Sequence, residues 1–274
     1  MTFISTLIAL IIERFFDWSH LRHWSWYIAL ERTIAQRMAG QSPYVILALT
    51  IIPILVLLGI IGLLLSGVLY GVMTLLFRLL ILLYCLGPKN LWADGFACVH
   101  AMPNEFSQNI LGTYPGQDSQ TNRRQLLNNL FIEANRRLFA VIFWFAILGP
   151  MGAFLYRAIT LSAQEKGLTE KNTLALTKSA RFIETLLDWI PIRIFTFIFA
   201  LGGHFSLVIS YWRKNFKLSL DENEMLLTQC GAAALGGVDD KIAEDGSVEK
   251  NAISLLDRTF VMVLVIIAIG VLLV

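Results

Sequence analysis

Charged side chains are scarce in this sequence. They make up 15% of the 274 residues, whereas hydrophobic residues make up 56%, and an ordinary soluble domain carries about 25% charged residues. So small a charged fraction excludes a typical soluble domain and indicates a membrane protein. The formal net charge of +2 is too small to indicate a nucleic-acid partner.

Cysteine is also scarce, and a nucleotide-binding loop is missing. Cys85, Cys98 and Cys230 are odd in number and form no CxxC pair, so we expect reduced thiols, with neither a disulfide framework nor a metal site. The glycine- and alanine-rich run at 226–237 lacks the lysine and the hydroxyl residue of a GxxxxGK[ST] loop. It therefore predicts a helix of small residues and indicates no cofactor.

Apolar runs dominate what is present. The first, Thr2 to Ile12, has no basic residue before it and no small-residue cleavage site after it, which argues against a removable signal peptide. We expect Glu13-Arg14, at its end, to lie at the headgroup level; the alternative is a helix that extends through Phe15-Phe16, with both charges satisfied by neighbouring helices. The run from Pro43 to Leu86 is too long for one membrane helix and predicts a hairpin of two. Arg78 is its only charge, and snorkelling would bring that side chain to the interface.

The central stretch runs from Phe131 to Arg157 and reads FIEANRRLFAVIFWFAILGPMGAFLYR. As a helix, its uncharged part at 138–155 would cover roughly 27 Å, close to the thickness of the hydrocarbon layer of a bilayer, and so predicts a membrane segment. Gly149-Pro150 interrupts it and leaves open a re-entrant pair of helices. A further span at 189–212 and a C-terminal anchor at 259–274 follow.

Together these runs predict an all-α fold. It would be a polytopic helical membrane protein with about 4–6 membrane helices and with amphipathic and soluble helical loops. We expect a single membrane-embedded domain over residues 1–274, in contact with the lipid bilayer as a multi-pass protein. Its polar blocks are 13–42, 87–137, 157–188 and 213–258. The oligomeric state is left open.

Three motifs resemble the AmpE family of inner-membrane proteins. They are NRRLFAVIFWF at 135–145, LGPMGAFLYR at 148–157 and LLDWIPIR at 186–193. The likeness covers most of the chain. It implies a protein of the bacterial inner (cytoplasmic) membrane that is linked to signalling in β-lactamase induction, with a ligand connected with cell-wall turnover.

The same segments are more distantly similar to the CbiB/CobD membrane enzymes of cobalamin synthesis, which use ATP to attach an aminopropanol unit to a corrinoid carboxylate. The pattern Asp188-x-x-Pro191-x-Arg193 matches those enzymes. Before Phe143-Trp144, however, arginines stand where the enzymes have acidic residues, so carboxylates that would hold Mg-ATP are fewer. The similarity implies, as the alternative, an ATP-dependent amide-forming ligase resembling adenosylcobinamide-phosphate synthase, with Mg-ATP as its cofactor.

The AmpE likeness and the missing nucleotide motif favour a non-catalytic signalling or accessory protein with a polar pocket. Guanidinium groups pair well with carboxylate and phosphate, so the arginines predict an anionic ligand, and acidic residues would hold them in place. Two plainer interpretations stay open, namely interface anchoring for the arginines and a solvated, ion-paired helix for the acids. The candidate ligand-binding residues are Glu133, Asn135, Arg136, Arg137, Tyr156, Arg157, Glu184, Asp188 and Arg193.

Overall fold

The structure is a computed structural model. It describes residues 2–15, 22–38, 40–65, 71–87, 91, 119–164, 171–215, 220, 222–237 and 247–272. All regular elements of this part of the chain are helical, which confirms the predicted all-α fold class. The chain divides into two compact units, a first unit of Met1–Pro88 and Ala140–Asp188 and a second unit of Lys89–Phe139 and Trp189–Val274. A single domain over residues 1–274 stays a prediction.

In chain order, the described helices and one π-helical turn are α1 (Thr2–Phe15), α2 (Ser25–Arg37), α3 (Pro43–Leu65), α4 (Val72–Cys85), α5 (Ser119–Ala134), the π turn (Asn135–Phe139), α6 (Ala140–Leu148), α7 (Pro150–Ala163), α8 (Lys171–Gly202), α9 (Phe205–Asn215), α10 (Asn223–Ala234) and α11 (Ser247–Leu272).

Three of the described helices contain segments long and apolar enough to cross a membrane. These segments are Pro43–Leu65 in α3, Leu174–Gly202 in α8 and Lys250–Gly270 in α11, and α4 is a shorter apolar helix. The side chains of Leu63 and Leu64 on α3 are 76% and 72% exposed, which is unfavourable in water and favourable against lipid tails. The protein is therefore a multi-pass membrane protein in contact with the bilayer.

The hairpin predicted between Pro43 and Leu86 is confirmed, because α3 and α4 form a packed pair within the first unit. Its expected turn at Ser66-Gly67 lies outside the described residues. The span expected at 189–212 has different limits. Its helix, α8, begins at Lys171 and ends at Gly202, and α9 is a separate helix.

The break between α8 and α9 has a steric cause in the second unit. Gly203 lies so close to the end of α10 that an added Cβ would collide with the carbonyl oxygen of Ala234. The backbone N–H of His204 donates to that same oxygen at 3.0 Å. α8 therefore ends where the chain donates a hydrogen bond to the last carbonyl group of α10. Hydropathy along the sequence does not indicate this contact.

The central stretch is two helices and not one continuous membrane segment. α6 ends at Leu148, Gly149 has φ +65°, and α7 starts at Pro150. A Cβ on Gly152 would collide with the carbonyl oxygen of Trp144, although eight residues of a continuous helix would span about 12 Å. The chain therefore folds back on itself at Gly149-Pro150, as in the re-entrant alternative, and a single segment over 138–155 is wrong.

The small-residue helix predicted at 226–237 is confirmed as α10, which packs on α5 and α9 within the second unit. Gly231 has no side chain because a Cβ there would lie 2.7 Å from two ring carbons of Phe131 on α5. Gly236 follows the helix with φ +101°, a left-handed conformation that glycine adopts without strain. The glycines of this run therefore serve helix packing and helix termination.

We expect Gly231→Ala to destabilise the protein. The new methyl group must displace the buried Phe131 ring, and overpacking of this kind costs about 1–3 kcal/mol, less the roughly 1 kcal/mol that alanine gains over glycine in a helix. In detergent micelles the apparent Tm should fall by up to roughly 8 °C. Gly270→Ala, where an added Cβ meets nothing within 4 Å, is the matched control and should leave the Tm unchanged or slightly higher. Equal Tm values for the two variants would contradict the close contact between Gly231 and the Phe131 ring.

Candidate functional site

The nine candidate residues are divided between the two units. Four lie in the first unit and five in the second. Those of the first unit are Tyr156, Arg157, Glu184 and Asp188. Those of the second unit are Glu133, Asn135, Arg136, Arg137 and Arg193. Each group is therefore described within its own unit.

In the first unit, Tyr156 and Asp188 are brought together. The phenolic O–H of Tyr156 on α7 donates to Oδ1 of Asp188 on α8 at 2.8 Å, and both side chains are buried. A carboxylate removed from water requires such donors, because a buried charge without hydrogen bonds is costly. The sequence placed both residues in the candidate set without indicating that they bond to each other.

Arg157 and Glu184 are also buried in the first unit, with exposed fractions of 2% and 6%. An arginine that anchors a helix at the interface keeps its guanidinium among headgroups, so burial excludes anchoring for Arg157. Glu184 and Asp188 are not on a solvated face either, although Leu186 between them is exposed. The solvated-helix interpretation is therefore wrong for both acids.

In the second unit, the π turn sets the positions of Asn135, Arg136 and Arg137. One extra residue in the turn leaves Asn135 buried and both arginines partly exposed, and π turns occur frequently at functional sites. Arg137 Nε donates to Glu133 Oε2 at 2.5 Å, one helical turn earlier. Glu133 thus has the arginine-holding contact that the sequence predicted.

Arg136 has a partner that the sequence did not indicate. Its Nη2 donates to Oε1 of Glu224 on α10 at 2.9 Å, and Glu224 is 60% exposed. Exposed ion pairs contribute about 0–1 kcal/mol, so this contact does little for stability. The contact between Arg136 and Glu224 therefore lies at the protein surface and contributes little to the stability of the second unit.

Arg193 is held from three sides within the second unit. Its Nη1 donates to the Trp189 carbonyl oxygen at 2.9 Å and to Oδ1 of Asn223 at 3.0 Å. The guanidinium carbon lies 4.1 Å from the centroid of the Trp189 ring, in a cation–π contact. Phe139 of the π turn stacks on Phe195 at 4.2 Å, which packs that turn against the same helix.

Sequence reasoning missed a buried ion pair in the first unit. Arg22 forms two hydrogen bonds to the carboxylate of Glu13 and donates to the carbonyl oxygen of Gly87 at 2.6 Å. Glu13 is 2% exposed, so its charge is satisfied inside the protein, as in the alternative in which neighbouring residues pair with it. Burial of charge in a short apolar helix was the available indication, because such residues are usually functional or paired.

A cavity of about 420 Å³ lies in the second unit between α5, α9 and α10. Its polar lining comes from Arg124, Asn128, Tyr211 and Gln229 over an apolar wall that includes Phe131. Burial, with smaller contributions from Cys230 and Glu222, raises the pKa of Tyr211, so its hydroxyl is a neutral donor at pH 7. None of the nine candidates is among the described residues that line this cavity.

The chemistry of the candidates is that of anion binding. Among the described His, Cys, Asp and Glu residues, no three come together in a group that could hold a metal ion. Two of the candidate arginines are buried, Arg157 in the first unit and Arg193 in the second, with an amide and an aromatic ring beside Arg193. Guanidinium groups of this kind are suited to pairing with carboxylate or phosphate.

Comparison with known proteins gives a match along nearly the whole chain. Residues 1–273 match the family described as "Regulatory signalling modulator protein AmpE". The chain is 28% identical over 288 residues to "Protein AmpE" of Shigella flexneri, a match that covers 98% of this chain and 97% of that protein. No solved structure matches the chain.

Shorter matches are found to proteins named "Cobalamin biosynthesis protein CobD". The CobD protein of Chromobacterium violaceum is 31% identical over 114 residues, which cover 41% of this chain and 36% of that protein. That of Stutzerimonas stutzeri is 30% identical over 101 residues, which cover 37% and 33%. The similarity to these proteins is therefore partial, as the motifs suggested.

We expect Tyr156→Phe to lower stability, because the Asp188 carboxylate loses a donor in a buried position. Hydrogen bonds to charged groups contribute about 1.5–3 kcal/mol, which corresponds to a fall in apparent Tm of roughly 3–12 °C in detergent micelles. The matched control is Tyr44→Phe, since Tyr44 is 51% exposed. If both variants unfold at the same temperature, the Tyr156–Asp188 bond does not stabilise the first unit.

Proposed function

The chain belongs to the AmpE family of regulatory signalling modulator proteins, and we propose that it modulates β-lactamase induction from the bacterial inner membrane. Its relative in Shigella flexneri aligns with 98% of this chain, so the likeness includes every membrane segment and every polar block. The family match gives a multi-pass regulatory membrane protein. The role in β-lactamase induction and the location in the inner membrane are what we propose.

We further propose that the protein recognises an anionic small molecule connected with cell-wall turnover. The observation that carries this is the burial of two guanidinium groups, Arg157 at 2% and Arg193 at 8% exposed. Burial of an arginine is expensive unless it serves a specific contact. Interface anchoring, the plainer interpretation, does not explain why these two arginines are buried at a cost in free energy.

The surrounding groups support a binding role. Arg193 is fixed by Asn223 and by the Trp189 ring, and a side chain fixed before binding loses less entropy when a ligand arrives. Arg137 is held by Glu133, and Arg136 pairs with the exposed carboxylate of Glu224. In the second unit the proposed anion-binding groups are Arg136, Arg137 and Arg193, with Asn135 as the neutral group and Glu133 as the positioning residue. In the first unit the proposed anion-binding group is Arg157, with Tyr156 as the neutral group and Glu184 and Asp188 as positioning residues.

Arg136→Ala and Arg193→Ala should each change β-lactamase induction at least threefold in cells that depend on this chain, because each removes a proposed anion contact. Induction is measured as hydrolysis of a chromogenic β-lactam, with the membrane level of each variant measured by immunoblot. Arg213→Ala, at an exposed position of α9, is the matched control and should behave as the unchanged protein.

A binding measurement separates recognition from folding. Muramyl dipeptide, a cell-wall fragment with a free carboxylate, should raise the apparent Tm of the purified full-length protein, since a ligand that binds the native state stabilises it. Arg193→Ala should abolish the rise, and Arg213→Ala should keep it. Normal induction together with an unchanged shift in Arg136→Ala and Arg193→Ala would refute the anion-binding role.

A second candidate function is an ATP-dependent amide-forming enzyme. The partial similarity to proteins named CobD favours it, as does Asp188-x-x-Pro191-x-Arg193. Asp188 would be its clearest carboxylate for a magnesium-bound nucleotide. Its Oδ1 accepts the hydrogen bond from Tyr156.

Under the regulatory proposal, purified protein should release no more ADP from Mg-ATP than the Asp188→Asn variant, across a panel of amines and carboxylic acids. The measurement is a coupled ADP assay in detergent micelles. Turnover that needs both an amine and an acid, and that Asp188→Asn abolishes, would establish the enzyme instead.

A further inference from the structure

The first unit contains a cleft of about 540 Å³ in its membrane-spanning part. α3 and α4 form two of its walls, and the bend between α6 and α7 forms the third. The volume lies within the range of about 300–1,000 Å³ that small-molecule sites occupy. The cleft involves none of the nine candidate residues.

Glycine opens the wall that α3 contributes. Gly59 and Gly62 face the cleft, and a Cβ on Gly62 would lie 3.8 Å from the Phe77 ring on α4. The other lining side chains are almost all apolar, and Leu63 and Ile147 are 76% and 58% exposed. In a bilayer such a surface meets hydrocarbon chains, not water.

Arg78 is the exception in this lining. It lies near the middle of α4, about 9 Å from its first residue and about 10 Å from its last. Its guanidinium is partly buried and makes no hydrogen bond or ion pair with the residues that the structure describes. The other polar member, Thr74, already donates to the carbonyl oxygen of Leu65 at 2.9 Å. The cleft therefore presents one cation beside an apolar surface.

Arg78 is near enough to the start of α4 for its side chain to reach the headgroup level, and a cation beside an apolar surface requires an anionic partner or water. The described lining of the cleft contains no carboxylate, so the partner has to come from outside the unit's own lining residues. The partner must also carry hydrocarbon, because the rest of the cleft is apolar. An anionic phospholipid has both parts, a negatively charged phosphate and acyl chains, and the surrounding bilayer supplies it.

We propose that this cleft is a binding site for one anionic phospholipid. Its phosphate accepts hydrogen bonds from Arg78, and one acyl chain lies along Gly59 and Gly62 against the α6–α7 bend. Occupancy by this lipid fills the space that the fold-back at Gly149-Pro150 opens beside α3. The site does not depend on the proposed signalling ligand.

The experiment titrates the full-length protein in dodecyl maltoside with phosphatidylglycerol, phosphatidylcholine or inorganic phosphate, and counts bound molecules by native mass spectrometry. The unchanged protein should retain one phosphatidylglycerol at least about tenfold more tightly than phosphatidylcholine, and inorganic phosphate should not bind, since it has no chain for the apolar wall. Circular dichroism confirms that each variant remains folded.

Two variants test the two halves of the site. Arg78→Gln should weaken phosphatidylglycerol binding about tenfold and remove the preference over phosphatidylcholine. Gly62→Leu should weaken both lipids, because its side chain fills the cleft while Arg78 stays in place. Leucine is the better helix former, so α3 should not be weakened.

The matched controls are Arg213→Gln, at an exposed position of α9, and Gly270→Leu, at an open position of α11. Both should bind phosphatidylglycerol as the unchanged protein does. Simple snorkelling of Arg78 to the headgroups predicts a different outcome, in which Gly62→Leu has no effect. Retention of phosphatidylglycerol by Gly62→Leu, or equal losses in Arg78→Gln and Arg213→Gln, would overturn the proposal.

Discussion

Charged side chains inside a helical membrane protein need partners within the protein, because lipid tails offer no hydrogen bonds. This constraint accounts for the polar contacts of both units. Glu13 is bonded to Arg22, Asp188 accepts from Tyr156, and Arg193 donates to Asn223. The contacts of Asp188 and Arg193 join different helices, so these buried polar groups help to specify which helices meet. Arg78 stands outside this pattern, and for that reason a lipid partner is inferred for it.

Glycine determines where helices come close. Gly152 allows α7 to fold back on α6, Gly203 allows the end of α8 to meet α10, and Gly231 allows α10 to lie on the Phe131 ring. At each position a methyl group would meet rigid backbone or a buried ring. The apolar runs supply the hydrophobic surface, and these few positions select the packing that the surface adopts.

The family relationship and the geometry describe a regulator in consistent terms. The chain matches the AmpE family over residues 1–273, whereas its matches to proteins named CobD cover 41% and 37% of it. Arginines follow Glu133 in the π turn, and the described acids assemble no metal-binding group. The proposed anion binding agrees with the family's description as a regulatory signalling modulator, and the cavity beside Tyr211 offers further polar surface in the second unit.

The sequence by itself determined the membrane class, the all-α fold, the α3–α4 hairpin and the small-residue helix α10, because hydropathy and helix-breaking residues act locally. Tertiary structure decided what depends on contacts between distant segments. It divided 138–155 into two helices, moved the end of the 189–212 span to Gly202, and buried Glu13, Arg157 and Glu184. A charge near an apolar run reads the same in sequence whether it lies at a headgroup or inside a helix bundle. Only the partners that reach it from other helices distinguish these two positions.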